Sequence, residues 1–272
     1  MPEWKDVFWP GPRANARARK AALTTLVLCS VVYPCAGPAR GQKSAFLASP
    51  LSYECHFTST PPTIDGKLDE AAWSQAPWTS DFVDIEGAAK PAPRFHTRVK
   101  MLWDSQYLYI GAQLQEPDVK ASLTQHDSVI FKDNDFEVFL KPLPETPSYY
   151  EFEINALNTG WDLFLAKPYR SGGTADNSWD IPGLRTAVAV QGSLNNSADV
   201  DGGWTVEIAY PLNAFASRQE VSPPQSGTVW RINFSRVEWT TGQRKEDNWV
   251  WSPQGIVDMH LPERWGFLHF TR

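Results

Sequence analysis

Oxygen-bearing side chains crowd into one short part of the chain. The stretch "HDSVIFKDNDFE" (126–137) brings Asp127, Asp133 and Asp135 close together. Carboxylate oxygens at close spacing are the ligands that calcium prefers, although this spacing lacks the central glycine and distant glutamate of an EF-hand loop. We therefore predict a calcium site at Asp127, Asp133 and Asp135, with a plain acidic turn as the alternative.

A second group of polar residues follows a strand pattern. In "DFEVFL" (135–140) and "YYEFEINA" (149–156), apolar side chains alternate with polar ones, which is typical of half-buried strands. Glu137, Glu153 and Asn155 therefore point away from the apolar rows. If the two strands pair, these side chains share one polar face that suits a polyhydroxylated ligand, because hydroxyls take paired hydrogen bonds and sugar rings lie on aromatics. The alternative is a solvated outer face.

A third stretch adds to this face. In "VWRINFSRVEW" (229–239), Asn233 and Ser235 share the outward phase of Arg231. Tryptophans border the same region: Trp161 lies beside a predicted loop and is a candidate surface residue, whereas Trp103, Trp204 and Trp230 end or start apolar rows and are expected in the core.

Alternation with a period of two extends over most of the chain. "RVKMLW" (98–103) and "YLYIGAQL" (107–114) flank a tight "DSQ" turn and predict a hairpin. Nine or more such strands, separated by turn residues, predict an all-β antiparallel β-sandwich with one or two short helices. One helix is predicted at "LDEAAWSQA" (68–76), capped by Asp69, and a half-turn at 210–215.

The first residues have a different character. A basic flank, an apolar run from Ala21 to Val32, and small residues before Gly41 have the layout of a secretory signal peptide. We predict a signal peptide over residues 1–41, a lead-in over 42–59, one domain over 60–272, and a secreted or periplasmic location. A membrane anchor is the alternative, although the run is short for a membrane span.

The net charge limits the classes of binding partner, and the cysteine content limits the disulfides that the chain can form. Without residues 1–41, the chain holds 19 basic and 29 acidic residues, a net charge of −10. Such a chain repels nucleic acid, so no nucleic-acid partner is expected. Cys29 and Cys35 lie in the predicted signal peptide, which leaves Cys55 alone and predicts no internal disulfide.

Seven stretches in order resemble a known family: "TIDGKLDEAAW", "VKMLWDSQYLYIGAQLQEPD", "DNDFEVFL", "YYEFEINALNTGWD", "GGWTVEIAYPLNAF", "WRINFSRVEW" and "WSPQGIVDMHLPERWGFLHF". Together, over about residues 60–272, they are similar to family 9 carbohydrate-binding modules and the DOMON-like sandwiches around them. The resemblance implies a jelly-roll or DOMON-like sandwich that binds a saccharide or glycoconjugate without catalysis. It also implies a ligand between two tryptophans, and calcium as a structural ion.

Residue by residue, the resemblance carries over in part. Glu137 falls on the family glutamate, and Phe131 stands near the first sandwiching tryptophan. Glu153 replaces an arginine, which reverses the charge, and Met259 lies near the second tryptophan. The resemblance and the strand pattern together predict Phe131 as a stacking platform and Glu137, Glu153 and Asn155 as partners for the ligand's hydroxyls. They also predict that His260 and Arg264 form the rim of the site.

Enzyme motifs do not occur in this sequence: it contains no GxSxG, HExxH or Walker glycine loop. A glycosidase would need two carboxylates across a cleft, and Glu137 with Glu153 is the candidate pair in this sequence. Nothing in the sequence gives either of them an acid role. We predict that the chain is not an enzyme.

Two other binding functions stay open. Some DOMON-like sandwiches bind haem through methionine with histidine or lysine, and Met101, Met259 and His260 supply such atoms. A strand methionine is more often core filler, so haem is the less favoured cofactor. The other alternative is an envelope scaffold that docks a protein partner.

Overall fold

The computed structural model describes residues 49–240 and 245–272. All of them fall within one unit, Phe46–Arg272. The predicted signal peptide and the start of the lead-in lie outside the described residues. Strands account for 37% of the structure and helical turns for 8%, so the all-β prediction is confirmed. No helix in the described part of the chain is long and apolar enough to cross a membrane.

Thirteen strands run through the described residues. They are β1 (Ser52–Phe57), β2 (Val83–Asp84), β3 (Thr97–Trp103), β4 (Tyr107–Leu114), β5 (Asp135–Lys141), β6 (Tyr149–Asn155), β7 (Gly160–Leu165), β8 (Ala175–Asp176), β9 (Arg185–Gln191), β10 (Gly203–Pro211), β11 (Val229–Glu238), β12 (Asp247–Val250) and β13 (Gly266–Thr271). The helical turns of these residues are 3-10 turns at Ala71–Gln75, Ile130–Lys132, Tyr169–Ser171, Ala214–Ser217 and Pro262–Arg264.

The strands form one curled sheet in the order β8-β7-β6-β5-β11-β13-β1-β3-β4-β10-β9, with β12 paired to β11 and β2 paired to β12. Neighbours are antiparallel, as predicted, except at β1, which runs parallel to both β13 and β3. The antiparallel expectation is wrong there because neither partner follows β1 through a hairpin. The predicted hairpin of β3 and β4 is present.

The main core lies between the two halves of the curled sheet. Alternate residues of β3, β4, β10 and β11 meet there, and Trp103, Trp204 and Trp230 are at most 2% exposed. These strands therefore bury the apolar faces that the alternating sequence pattern predicts.

The segment Thr63–Trp73 covers the outer side of β10. The N–H groups of Asp65 and Gly66 donate to Glu207 Oε2 at 2.9 and 2.8 Å, and Trp73 Nε1 donates to Glu207 Oε1 at 2.7 Å. Gly66 has φ +89°, and a Cβ there would lie 2.6 Å from the backbone of Val188, so the position requires glycine.

The helix predicted in this segment is shorter than expected. Only Ala71–Gln75 is helical, and its cap is Glu70, with no side-chain cap hydrogen bond. The prediction of Asp69 as the cap is therefore wrong. Glu70 Oε1 instead accepts from the Thr63 N–H at 3.1 Å, which holds the chain extended at the point where the helix would begin. The half-turn predicted at 210–215 lies at Ala214–Ser217, because β10 continues to Pro211.

Candidate functional site

A row of polar residues crosses four neighbouring strands on the face opposite the main core. Glu137 of β5 lies opposite Glu153 of β6 on one side and Ser235 of β11 on the other. Glu153 lies opposite Trp161 of β7. Residues opposite one another in a ladder have Cβ atoms about 4.5–5.5 Å apart. Four strands therefore bring these side chains into one line.

Two further acids lie beside this row. Asp135 is opposite Asn155, and Glu151 is opposite Phe139. We call the set Asp135, Glu137, Glu151, Glu153 and Ser235 the acidic face. All five residues are at most 5% exposed. The solvated outer face considered from the sequence is therefore excluded, since these groups are removed from water.

Aromatic rings border the acidic face. Phe131, Tyr149, Trp161, Tyr169 and His260 form what we call the aromatic wall. The Phe131 and Trp161 ring centroids are 6.4 Å apart with an interplanar angle of 33°. The Tyr149 hydroxyl hydrogen-bonds His260 Nδ1 at 2.8 Å, and the Tyr169 ring meets the imidazole edge-on at 4.5 Å. Phe131 and Tyr169 are partly exposed, so the wall reaches the surface.

Main-chain donors fix two of the carboxylates. Phe131 N–H donates to Glu153 Oε2, and Val237 N–H donates to Asp135 Oδ1, both at 3.0 Å. Each hydrogen bond holds one oxygen of its carboxylate and sets the direction of the other. Two of the four carboxylates of the acidic face are thus held in place by the main chain.

Several buried polar atoms of this region have no hydrogen-bond partner among the described residues. They are Asp135 Oδ2, Glu151 Oε2, Trp161 Nε1 and Ser235 Oγ. A buried polar atom without a partner costs about 1–3 kcal/mol, so native proteins contain few of them. Other buried atoms of the described residues are also unpaired, but these four lie together on one face, where a polar ligand would give them partners.

Burial controls the ionisation of the acidic face. It raises the pKa of Glu137 to about 7. Burial, and then repulsion from the charge of Glu137, raises the pKa of Asp135, Glu151 and Glu153 as well. No Lys or Arg of the described residues forms an ion pair with these carboxylates; the one such contact is His260 Nδ1, 4.0 Å from Glu151 Oε2.

His260 does not neutralise the acids at neutral pH. Burial lowers its pKa to about 4, so the imidazole is neutral, and its Nδ1 shares a hydrogen bond with the Tyr149 hydroxyl. The predicted rim position of His260 therefore corresponds to a place in the aromatic wall. Arg264 ends the 3-10 turn before β13. Its main-chain carbonyl accepts a hydrogen bond from Ser252 Oγ at 2.9 Å.

Asn155 shares the face of Glu137 and Glu153 but has a structural role. Its Nδ2 donates to the Leu123 carbonyl at 2.8 Å and to Asp133 Oδ2 at 3.0 Å. Its Oδ1 accepts from the N–H groups of Leu157 and Thr159. An amide has two donors and two acceptor sites, and all four are used here. The predicted role of Asn155 as a hydroxyl partner does not agree with this arrangement.

The three predicted calcium ligands do not form one set. Asp127 groups with His126, Asp162 and Asp180, whereas Asp135 groups with Glu137 and Glu153. Asp133 accepts hydrogen bonds from Ser122, Leu123 and Asn155. The 3-10 turn at Ile130–Lys132 redirects the chain between Asp127 and β5, which separates residues that are close in sequence.

The methionines considered for haem lie apart. Met101 belongs to the main core, whereas Met259 packs in the second core cluster with Trp265, whose Nε1 donates to the Met259 carbonyl at 2.8 Å. Each is buried among apolar side chains, which is the ordinary role of methionine.

Sequence reasoning missed Glu151 and Tyr169. Glu151 has the same strand phase as Glu153, so the alternation already contained the signal. Tyr169 lies in a 3-10 turn after β7, where no periodic pattern places it. Glu151 and Glu153 are near enough to Tyr169 for their charges, after burial, to raise the pKa of its hydroxyl. Trp161, considered a surface residue, is 7% exposed.

The family comparison covers most of the chain. A family model described as "Carbohydrate family 9 binding domain-like" matches residues 64–271. A comparison with curated proteins finds no match.

Solved structures share the fold at low sequence identity. A "putative carbohydrate-binding protein" from Bacteroides uniformis ATCC 8492 has a TM-score of 0.65 at 15% identity, covering 82% of this chain and 100% of that one. A family 9 carbohydrate-binding module from Caldicellulosiruptor kristjanssonii, in complex with cellotriose, has a TM-score of 0.56 at 18% identity, covering 81% and 93%. Its complex with glucose has a TM-score of 0.55 at 18% identity, covering 80% and 96%.

Proposed function

Because this chain belongs to the carbohydrate family 9 binding domain-like family, we propose that it binds a saccharide, without catalysis, where the aromatic wall meets the acidic face. The observation that carries the proposal is the set of buried, unpaired polar atoms beside aromatic rings. A saccharide offers both partners, since its hydroxyls donate and accept and its ring has an apolar side.

The arrangement suits a sugar ring near Phe131. Its ring is partly exposed and lies 6.4 Å from that of Trp161, so it can serve as a platform. Trp161 Nε1 is a free donor and Glu151 Oε2 a free acceptor. A hydroxyl needs one of each, and hydrogen bonds to a carboxylate are stronger than those between neutral groups.

The carboxylate spacing supports binding rather than hydrolysis. Carboxylate oxygens of Glu137 and Glu153 lie within 4.8 Å of one another, on adjacent strands of one face. Glycosidases place their two carboxyl groups on either side of the scissile bond, at about 5–5.5 Å or at 6.5–9.5 Å. The position of this pair on one face of the sheet, beside an aromatic wall, supports the proposal that the two carboxyl groups hold hydroxyls.

We place this binding outside the cytoplasm, on the basis of the export pattern in residues 1–41. The structural neighbours in complex with cellotriose and glucose supply the first ligands to test. A glycan array widens the search, because the replacement of the family arginine by Glu153 changes the polar partners.

The test combines the array with calorimetric titration of the best glycan and of cellotriose. Phe131→Ala removes the platform, and Glu151→Gln removes a charged acceptor. Phe57→Ala is the matched control, because Phe57 is also partly exposed but packs on Trp103, 5.1 Å away, at β1. We expect both site variants to weaken binding by about tenfold or more, and the control to bind normally.

Two results would overturn the proposal. One is an array on which the folded protein binds no glycan. The other is glycan binding that survives both Phe131→Ala and Glu151→Gln while Phe57→Ala reduces it, because the ligand would then lie elsewhere on the sandwich.

A further inference from the structure

Two basic side chains face one another on the outer face of the sheet. Lys141 of β5 lies directly opposite Arg231 of β11, and residues so placed have Cβ atoms about 4.5–5.5 Å apart. The two charges are near enough to interact, since burial, and then the charge of Arg231, lower the pKa of Lys141. Like charges opposite one another destabilise a sheet. We call Lys141 and Arg231 the basic pair; it opposes the strand pairing that holds it.

Lys141 lacks the partners that a buried lysine usually has. Lys100, 7% exposed, donates through Nζ to the Trp73 carbonyl at 3.1 Å and lies 4.2 Å from the centre of the Trp78 ring. Lys141 is 9% exposed, yet its Nζ makes no hydrogen bond, ion pair or ring contact with the described residues. Nζ is also not one of their buried unpaired atoms, so the ammonium reaches the surface while its stem is buried.

Arg231 is held in place with one edge of its guanidinium free. Its Nη1 donates to the Trp265 carbonyl at 2.7 Å, and the group lies 3.8 Å from the centre of the Phe267 ring. Nε and Nη2 have no partner among the described residues and are not among the buried unpaired atoms. These N–H groups form a fork that binds two oxygens of one carboxylate or sulfate. The carbonyl and the ring therefore orient Arg231 for an oxyanion.

Two glutamates lie near the basic pair but do not contact it. Glu263 and Glu145 raise the pKa of Lys141 against the effect of burial, and Glu263 does the same for Arg231. Both glutamates are exposed, and Glu263 lies 4.0 Å from Arg170 Nη1. Among the residues that the structure describes, no carboxylate forms an ion pair with either member of the basic pair. The chain therefore leaves these two cations without a counter-ion of its own.

We infer that the basic pair forms a binding site for one oxyanionic group, a carboxylate or a sulfate. Lys141 supplies a point charge and Arg231 a planar fork. The site lies on the same face of β5 as Glu137 but four residues farther along, about 13 Å at about 3.3 Å per residue. A glycan with a uronate or a sulfate ester would carry such a group. The inference does not rest on the proposed function, because a free anion tests the site alone.

The experiment follows the N–H signals of residues 141 and 231, including Arg231 Nε, by NMR in the isotope-labelled full chain. Sodium sulfate, sodium glucuronate and glucose are added separately at constant ionic strength. We expect sulfate and glucuronate to shift these signals until they saturate, and glucose to leave them in place. The tighter of the two anions identifies the preferred group, a sulfate or a carboxylate.

Two variants test the two members of the basic pair. Lys141→Met should weaken binding of the anion by about fivefold or more, and its unfolding temperature should not fall because a repelled charge is removed. Arg231→Lys keeps the charge but loses the fork, so it should weaken binding to a similar degree. Glu263→Gln removes a competing negative charge and should strengthen binding about twofold.

Arg185→Met is the matched control. The Arg185 guanidinium also lies on an aromatic ring, 4.7 Å from the centre of Tyr107, but the residue opposite it is Ala209. This variant should bind both anions normally. A folded wild-type chain whose signals respond to neither anion would overturn the inference. So would anion binding that Lys141→Met and Arg231→Lys leave intact.

The two proposals fail separately. Anion binding at the basic pair without binding of any glycan on the array would remove the proposed function and leave the anion site. Binding of neutral glycans by a chain that responds to neither sulfate nor glucuronate would do the reverse.

Discussion

Two buried clusters of charge in this sandwich have opposite designs. Arg236 is 0% exposed, and its Nη2 lies 2.6 Å from Glu116 Oε2 and 2.8 Å from Glu238 Oε2. The acidic face is buried to the same degree, yet its carboxylates have no arginine or lysine partner among the described residues. The first cluster is complete within the chain, and the second is not.

Hydrogen bonding shows the same contrast. Arg236 Nη1 donates to Thr97 Oγ1 at 3.0 Å and to the Gln115 carbonyl at 2.8 Å, so the guanidinium is satisfied on several sides. The acidic face and the adjoining Trp161 together keep four unpaired atoms. The two clusters are buried alike and differ in whether their polar groups find partners. The predictions below test that distinction.

Breaking the complete cluster should have the largest effect. Arg236→Met leaves Glu116 and Glu238 buried without their cation, and removal of one partner of a buried pair costs about 3–5 kcal/mol. Urea unfolding should show that loss. Glu153→Gln, in the incomplete cluster, should change the free energy of unfolding by less than about 1 kcal/mol or increase it, since it removes a repelled charge. Equal losses in both variants would contradict the comparison.

The pH dependence of stability separates the clusters in another way. The pKa of Glu137 rises from 4.5 to about 7 on folding, so the folded chain binds more protons between these values. Stability should therefore fall as pH rises from about 4.5 to about 7, by up to about 3 kcal/mol.

His260 acts in the opposite direction, because its folded pKa, about 4, lies below its ordinary 6.5; its contribution is lost as pH falls from 6.5 to 4. Comparison with Glu137→Gln isolates the glutamate: the variant should lose less stability with rising pH than wild type, while the raised pKa values of Asp135, Glu151 and Glu153 still contribute in the same direction. A variant with the same pH profile as wild type in urea titrations would show that Glu137 does not carry the effect.

A smaller effect is expected where the segment Thr63–Trp73 covers the outer side of β10. Trp73→Phe removes the hydrogen bond to Glu207, and a bond to a charged group contributes about 1.5–3 kcal/mol. The free energy of unfolding should fall by that amount, while glycan binding stays normal. A binding defect in this variant would indicate that the two sides of the sandwich are not independent.

Much of the architecture follows from local pattern. Alternation in "YLYIGAQL" (107–114) and its neighbours places the correct faces inward, because strands bury every second residue. The parallel placement of β1 and the short turn at Ala71–Gln75 do not follow. Both depend on contacts distant in sequence: the pairing of β1 with β13, and the Glu207 carboxylate that holds Trp73.

For the site, the sequence predicts only which residues share a face of a strand. Glu137 and Glu153 share a face because their strands pair. The same rule includes Asn155, whose amide is used by its own turn, and it cannot show that Asp127 belongs to a different group from Asp135. Whether a buried polar atom has a hydrogen-bond partner depends on every neighbouring segment, so it follows only from the three-dimensional structure.

Trp161 provides the most direct test of the central claim that the unpaired groups exist to bind a ligand. Trp161→Phe deletes an N–H without a partner and keeps an aromatic ring. We predict that the free energy of unfolding falls only by the lost packing of the indole, about 1–2 kcal/mol, because no hydrogen bond is lost. The affinity for the glycan found on the array should fall about fivefold or more. Unchanged affinity in the folded variant would contradict the account.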